Sequence, residues 1–188
     1  YRSVYRRPPS TIWPVLAAER RRATWPTAAI AAGIVLAGFF LRTYRLWDIP
    51  AGMLTDEAAN AVEFSPLFSG HFLIFFAGHY GHYVEPLFHY IQAGSLLAFG
   101  WTPYAMRLPA VMFTSLTIAA TFATARKLFS ARVALFAAFL EAATFWQVSM
   151  GRVGLRRTAL PFFALLAVFF LTKWLRRETP WRSAALCG

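Results

Sequence analysis

An all-α polytopic membrane protein is the fold class predicted by three features of the sequence. These are an apolar composition, four nearly uncharged runs of spanning length, and basic residues gathered at the ends of those runs. Of 188 residues, 58% are hydrophobic, 18% aromatic and only 14% charged, and mean hydropathy is +0.47. A soluble domain carries about 25% charged residues, so water is the wrong solvent for this chain. The runs are residues 23–41, 108–125, 133–151 and 158–175, interrupted only by Glu141 in the third and Lys173 in the fourth. A helix needs roughly 20 residues, within about 17–25, to cross the hydrocarbon, and each run meets that length.

The net charge of +11 raises nucleic acid as a partner, but the basic residues punctuate the apolar runs instead of forming one patch, so that class is excluded. Residues 1–24 form a basic cytoplasmic arm, in which Arg2, Arg6, Arg7, Arg20, Arg21 and Arg22 suit anionic membrane lipids. The first run is too long for a signal-peptide core and lacks a cleavage site, so it is a retained span. The single Cys187 cannot form an internal disulfide. The chain opens at Tyr1 and closes at Gly188, where a further apolar run is starting. Residues 25–188 are therefore expected to be the N-terminal portion of a longer transmembrane domain, inactive alone.

Residues 42–104 differ in kind. They hold five of the eight acidic residues (Asp48, Asp56, Glu57, Glu63, Glu85) and all four histidines (His71, His79, His82, His89). Polar chemistry concentrated in one long loop between spans marks a functional segment. Within it, Thr55-Asp56-Glu57 reads as a helix start, with Thr55 capping free N–H groups and the acids complementing the dipole. Pro66 and Gly70 end that helix. Residues 86–99 are too short to span and are expected to be interfacial or re-entrant. With that segment kept on one side and the N-terminus cytoplasmic, 13 basic residues lie inside and 6 outside; if it crosses, the split is 10 to 9. The positive-inside rule selects the first topology and makes the 42–104 loop exoplasmic.

The pair Asp56-Glu57 is the leading candidate for a general base acting on an acceptor hydroxyl, although an ordinary helix start uses the same residues. Arg107, Arg152, Arg156 and Arg157 stand outside against the charge bias; their guanidinium forks suit a phosphodiester, while snorkelling to head groups is the plainer reading. The histidines with Glu85 fit no zinc spacing, so Glu85, His82 and His89 read as polar lining of a substrate cavity and no metal is expected. Glu141 lies mid-span, where a free charge costs roughly 2.5–3.5 kcal/mol, so it must be protonated or face the bundle interior.

The order of Leu41-Arg-Thr-Tyr-Arg-Leu46, Asp56-Glu57, Glu85-Pro-Leu-Phe-His-Tyr90, Arg107-Leu-Pro109 and Gly151-Arg-Val-Gly-Leu-Arg156 resembles the dolichyl-phosphate-mannose protein mannosyltransferase superfamily. Lipid A aminoarabinose transferases are among its bacterial members. The resemblance covers residues 36–177 and rests on motif order. It implies a GT-C fold whose N-terminal portion has about four transmembrane helices and a large first exoplasmic loop carrying interfacial helices. It also implies Asp56 as catalytic base with Glu57 beside it, Arg107 near the donor phosphate and Arg42 as an arginine closing the first span; together Arg42, Arg107, Arg152 and Arg156 are the residues expected at the donor phosphate. Relatives place a second acid where this chain has Arg157. The implied partners are a polyprenyl-phosphate sugar donor and a lipid, glycan or protein hydroxyl acceptor, in a bacterial plasma membrane, with no cofactor. A transporter subunit, for which only Glu141 speaks, and a non-catalytic membrane scaffold are the alternatives.

Overall fold

The computed structural model describes residues 25–78, 81 and 83–175. The basic arm 1–24, His79, His82, Arg176, Arg177, Arg182 and Cys187 lie outside the described residues. The chain forms helix α1 (Trp25–Thr43), α2 (Thr55–Glu63), a 3-10 turn (Ser65–Ser69), a two-stranded hairpin of β1 (Phe76–Ala77) and β2 (Tyr83–Val84), α3 (Pro86–Phe99) and α4 (Pro103–Leu128). It continues with α5 (Ala131–Ala143), α6 (Phe145–Gly151), a second 3-10 turn (Arg156–Ala159) and α7 (Leu160–Leu175). The hairpin pairs Phe76 with Val84 and Ala77 with Tyr83, a small β insertion in an otherwise helical chain.

By length and composition α1, α4 and the stretch Arg156–Leu175 can each cross a membrane, and α5 and α6, bent by 57° at their junction, are apolar and long enough only when taken together. The third apolar run is thus two helices, because Thr144 leaves the helical conformation. Its freed carbonyls are met from outside the helix. Arg42 donates Nη1 to Ala142 O at 3.1 Å and Nη2 to Glu141 O at 3.1 Å. The Glu141 carboxylate accepts from Gln147 Nε2 at 3.1 Å, which supplies the partner that a mid-span acid requires.

Helix α4 is the central element, far more of it buried than of α1 or of the stretch Arg156–Leu175. Small residues permit the close approach of its neighbours: Ile118 clusters with Ala138 and Ala142 of α5, and Ile34 and Val35 of α1 pack against that cluster. A side chain at Gly38 would collide with Ile118 Cδ1. Pro109 inside α4 has no N–H to give Ala105 O, and Ser95 of α3 donates its hydroxyl there at 2.7 Å.

The contacts fix the direction of each helix. Gly38 of α1 meets Ile118, and Arg42 and Thr114 both border Gly151, so α1 runs against α4. Phe113 meets Phe162, and Lys127 Nζ lies 5.9 Å from the Phe169 ring, so α7 runs with α4. The segment between α1 and α4 consequently begins and ends at the same end of the bundle, where Trp47 stacks on Tyr104 at 5.4 Å. Helix α3 belongs to that end and is not among the spans.

Candidate active site

Helix α2 begins at Thr55, as its acidic first turn predicts, but the cap differs from expectation. Thr55 is the first helical residue, and it is Glu57 Oε2 that accepts the free Leu54 N–H, at 3.0 Å. This places the two adjacent acids in different surroundings. Successive helical residues point about 100° apart.

Glu57 is fully buried and all its acceptor capacity is taken. Oε1 receives Arg107 Nε at 3.0 Å and the Gly154 N–H at 2.7 Å, while Oε2 receives Arg107 Nη2 at 3.1 Å besides Leu54. Arg107, equally buried, spends its other donors on the carbonyls of Leu46 at 3.3 Å, Pro50 at 3.0 Å and Gly52. A fork bound to both carboxylate oxygens is the strong geometry for this pair.

Gly154 ties α2 and α3 to the turn after α6. Its carbonyl accepts from Asn60 Nδ2 at 3.1 Å and Gln92 Nε2 at 2.9 Å, and Gln92 also donates to Met106 O at 3.0 Å. A Cβ at Gly154 would stand 2.8 Å from Met106 O, so the close approach requires glycine. Arg152 performs a similar task for the loop after α1. It donates to Leu41 O at 2.8 Å, Tyr44 O at 2.7 Å and Ile49 O at 2.9 Å.

Three of the arginines expected at the donor phosphate, Arg42, Arg107 and Arg152, are therefore placed otherwise. Each is buried and its guanidinium holds carbonyl oxygens or Glu57. The reason is geometric: the loop 44–54 and the broken third span expose more carbonyls than their own N–H groups can satisfy. Glu57, expected beside the base, likewise faces inward.

Asp56 is half-buried and lines an open cleft with Ala59, Asn60 and Glu63 of α2, facing Leu155, Arg156 and Arg157 across it. The α2 residues recur at i, i+3, i+4 and i+7, the spacing of one helix face. Arg156 is half-buried, its Nε 3.8 Å from the exposed Glu85 carboxylate, which is expected to line the cavity but is not among the residues lining this cleft. His89, expected to line the cavity, is fully buried behind it, with Nε2 3.3 Å from Glu63 Oε2. Burial pushes the His89 imidazole below its ordinary value, and Glu63 opposes that shift.

The structure thus brings Asp56 and Arg156 together, adds Asn60, Glu63 and Arg157, and moves the other arginines inside. The added residues have a sequence signal: Asn60 and Glu63 follow Asp56 by four and seven positions. Arg157 puts a second cation beside Arg156 on that side of the cleft. Among the described residues, no three His, Cys, Asp or Glu side chains gather where a metal would be held.

Residues 84–188 match the sequence model of the dolichyl-phosphate-mannose-protein mannosyltransferase family, from the second strand of the hairpin through the turn that carries Arg156 and Arg157 and on to Gly188. No curated protein and no solved structure matches the chain. The match covers more than half of the sequence and includes the central α4, the broken third span and the arginine side of the cleft. On that match, and on its apolar helical architecture, the chain belongs to the dolichyl-phosphate-mannose-protein mannosyltransferase family, membrane glycosyltransferases of the GT-C type.

Proposed function

We propose that this chain carries the base and the phosphate-binding edge of an inverting glycosyltransferase that uses a polyprenyl-phosphate sugar. The observation that carries the reading is the opposition of Asp56 to Arg156 and Arg157 across one cleft. An acceptor hydroxyl of a lipid, glycan or protein attacks the anomeric carbon of the donor, and its proton passes to the Asp56 carboxylate. The new bond joins acceptor oxygen to that carbon while the bond from carbon to phosphate oxygen breaks. The electron pair leaves on polyprenyl phosphate, whose growing charge Arg156 and Arg157 stabilise. Glu57, Arg107 and Gly154 act as positioning residues, because they lock the α2 start to the turn that bears the arginines, while Arg152 braces the loop after α1.

Replacing Asp56 by Asn keeps the size of the side chain and leaves the cap to Glu57. Turnover in the full-length enzyme is expected to fall about 10²-fold or more with insertion unchanged. Near-normal turnover would remove Asp56 from the role of base.

The same reading puts the cleft on the exoplasmic side with a cytoplasmic N-terminus, in a bacterial plasma membrane, supported by the 13-to-6 division of basic residues. Cysteine at Thr102 is expected to react with an impermeant thiol reagent in intact cells, and cysteine at Ser130 to be protected. The opposite labelling pattern would invert the topology.

A further inference from the structure

The geometry points to Glu63 as a second carboxylate of the cleft, which binds a hydroxyl group of the donor sugar, with His89 behind it as its positioning residue. This rests on the reading that the donor occupies the cleft between α2 and the Arg156–Arg157 turn.

Glu63 lies on the same face of α2 as Asp56, seven residues on, which is about 10 Å along the helix axis. That separation is too great for the two acids to share a proton as a coupled dyad. It does leave room for a pyranose hydrogen-bonded at one end while reacting at the other. The Glu63 side chain is only 9% exposed, and it lines the cleft. A carboxylate in such a place is an acceptor for neutral O–H donors, and charge-assisted bonds of this kind are about twice as strong as neutral ones.

Behind it, the wholly buried His89 ring is set by its packing. Phe76 meets it edge-on at 5.1 Å and 84°, and Phe64 lies tilted at 5.7 Å. The ring therefore presents Nε2 to Glu63 Oε2 from a fixed direction. That contact limits how the Glu63 carboxylate can turn, which is how an outer partner positions a group that meets a ligand. The charges are ordered to suit a sugar phosphate: cations on the 156–157 turn for the phosphate, and a carboxylate on α2 for hydroxyls.

The test measures binding by the full-length protein in lipid nanodiscs of two probes, polyprenyl phosphate and polyprenyl-phosphate mannose. Glu63→Gln is expected to weaken the mannosyl probe about tenfold and to leave polyprenyl phosphate within about twofold, since a charged hydrogen bond is lost only where hydroxyls are present. His89→Leu is expected to shift the ratio of the two affinities in the same direction. His89→Gln, which can still present an N–H to Glu63, restores it. A general loosening of the fold would lower both affinities together and leave the ratio unmoved. An unchanged ratio in Glu63→Gln, or equal loss of both probes, overturns the inference, and an unchanged ratio in His89→Leu overturns the positioning role. The underlying reading has its own arm: if Arg156→Ala with Arg157→Ala leaves polyprenyl phosphate binding intact, the phosphate is not in this cleft.

Discussion

Two regions a few residues apart use the same chemical groups for opposite ends. The junction of Glu57, Arg107, Arg152 and Gly154 is buried and its carboxylate is saturated, whereas the cleft of Asp56, Glu63, Arg156 and Arg157 is open. Asp56 and Glu57 are neighbours in sequence, and Arg152 precedes Arg156 by one helical turn's worth of residues, yet each pair is divided between the regions. The lesson is that residue type does not assign a role at such a site. Whether water or ligand reaches the group does, because a buried guanidinium bound to carbonyls has no fork left for a phosphate.

The comparison breaks most visibly in the junction. Arg107→Ala leaves the Glu57 charge buried with two backbone N–H partners, and removal of one member of a buried pair costs about 3–5 kcal/mol. A large drop in the thermal midpoint of the detergent-solubilised protein is expected, with any loss of turnover following the loss of folded enzyme. Full stability in Arg107→Ala would return this residue to the list of candidate ligands.

The cleft arginine should behave in the reverse way. Arg156→Ala is expected to weaken donor binding about tenfold, whereas stability changes by less than about 1 kcal/mol, the ordinary worth of a partly exposed ion pair such as that with Glu85. Arg156→Lys should recover only part of the affinity, since an ammonium lacks the bidentate fork. Titration of donor affinity alongside a melting curve separates the two effects, and a stability loss as large as that of Arg107→Ala would merge the regions into one.

The smallest effect sharpens the boundary between them, where His89 backs Glu63. Burial holds the imidazole below its ordinary value, with Glu63 from α2 opposing the shift and Arg156 reinforcing it. The unfolded chain therefore takes up a proton that folded His89 refuses as pH falls below about 6.5, so stability is greatest above that range and declines toward acid. Melting from pH 7.5 to 5.5 should fall less steeply in His89→Gln than in the native chain. Parallel curves would show that His89 does not contribute to the acid sensitivity.

Much of the fold was legible because a bilayer leaves few choices. Charge-free runs gave the spans, the short length of residues 86–99 kept them from crossing, and the acids of Thr55-Asp56-Glu57 marked a helix start. The third run was not legible as two helices. Its bend at Thr144 depends on Arg42, some hundred residues earlier, reaching the carbonyls that the break sets free. The capping role of Glu57 was hidden in the same way, since Asp56 and Glu57 are equivalent until something packs against one of them.

What the sequence determined by itself is the class of the molecule, the loop that carries its polar chemistry, and the resemblance that led to its family. Apolar length, charge placement and motif order are local properties that survive without knowledge of contacts. Only the tertiary structure decided which acid is open and which arginines are internal braces. That assignment depends on where the turn at Gly154 meets α2 and α3, and on how many backbone carbonyls the loop after α1 leaves for side chains to satisfy.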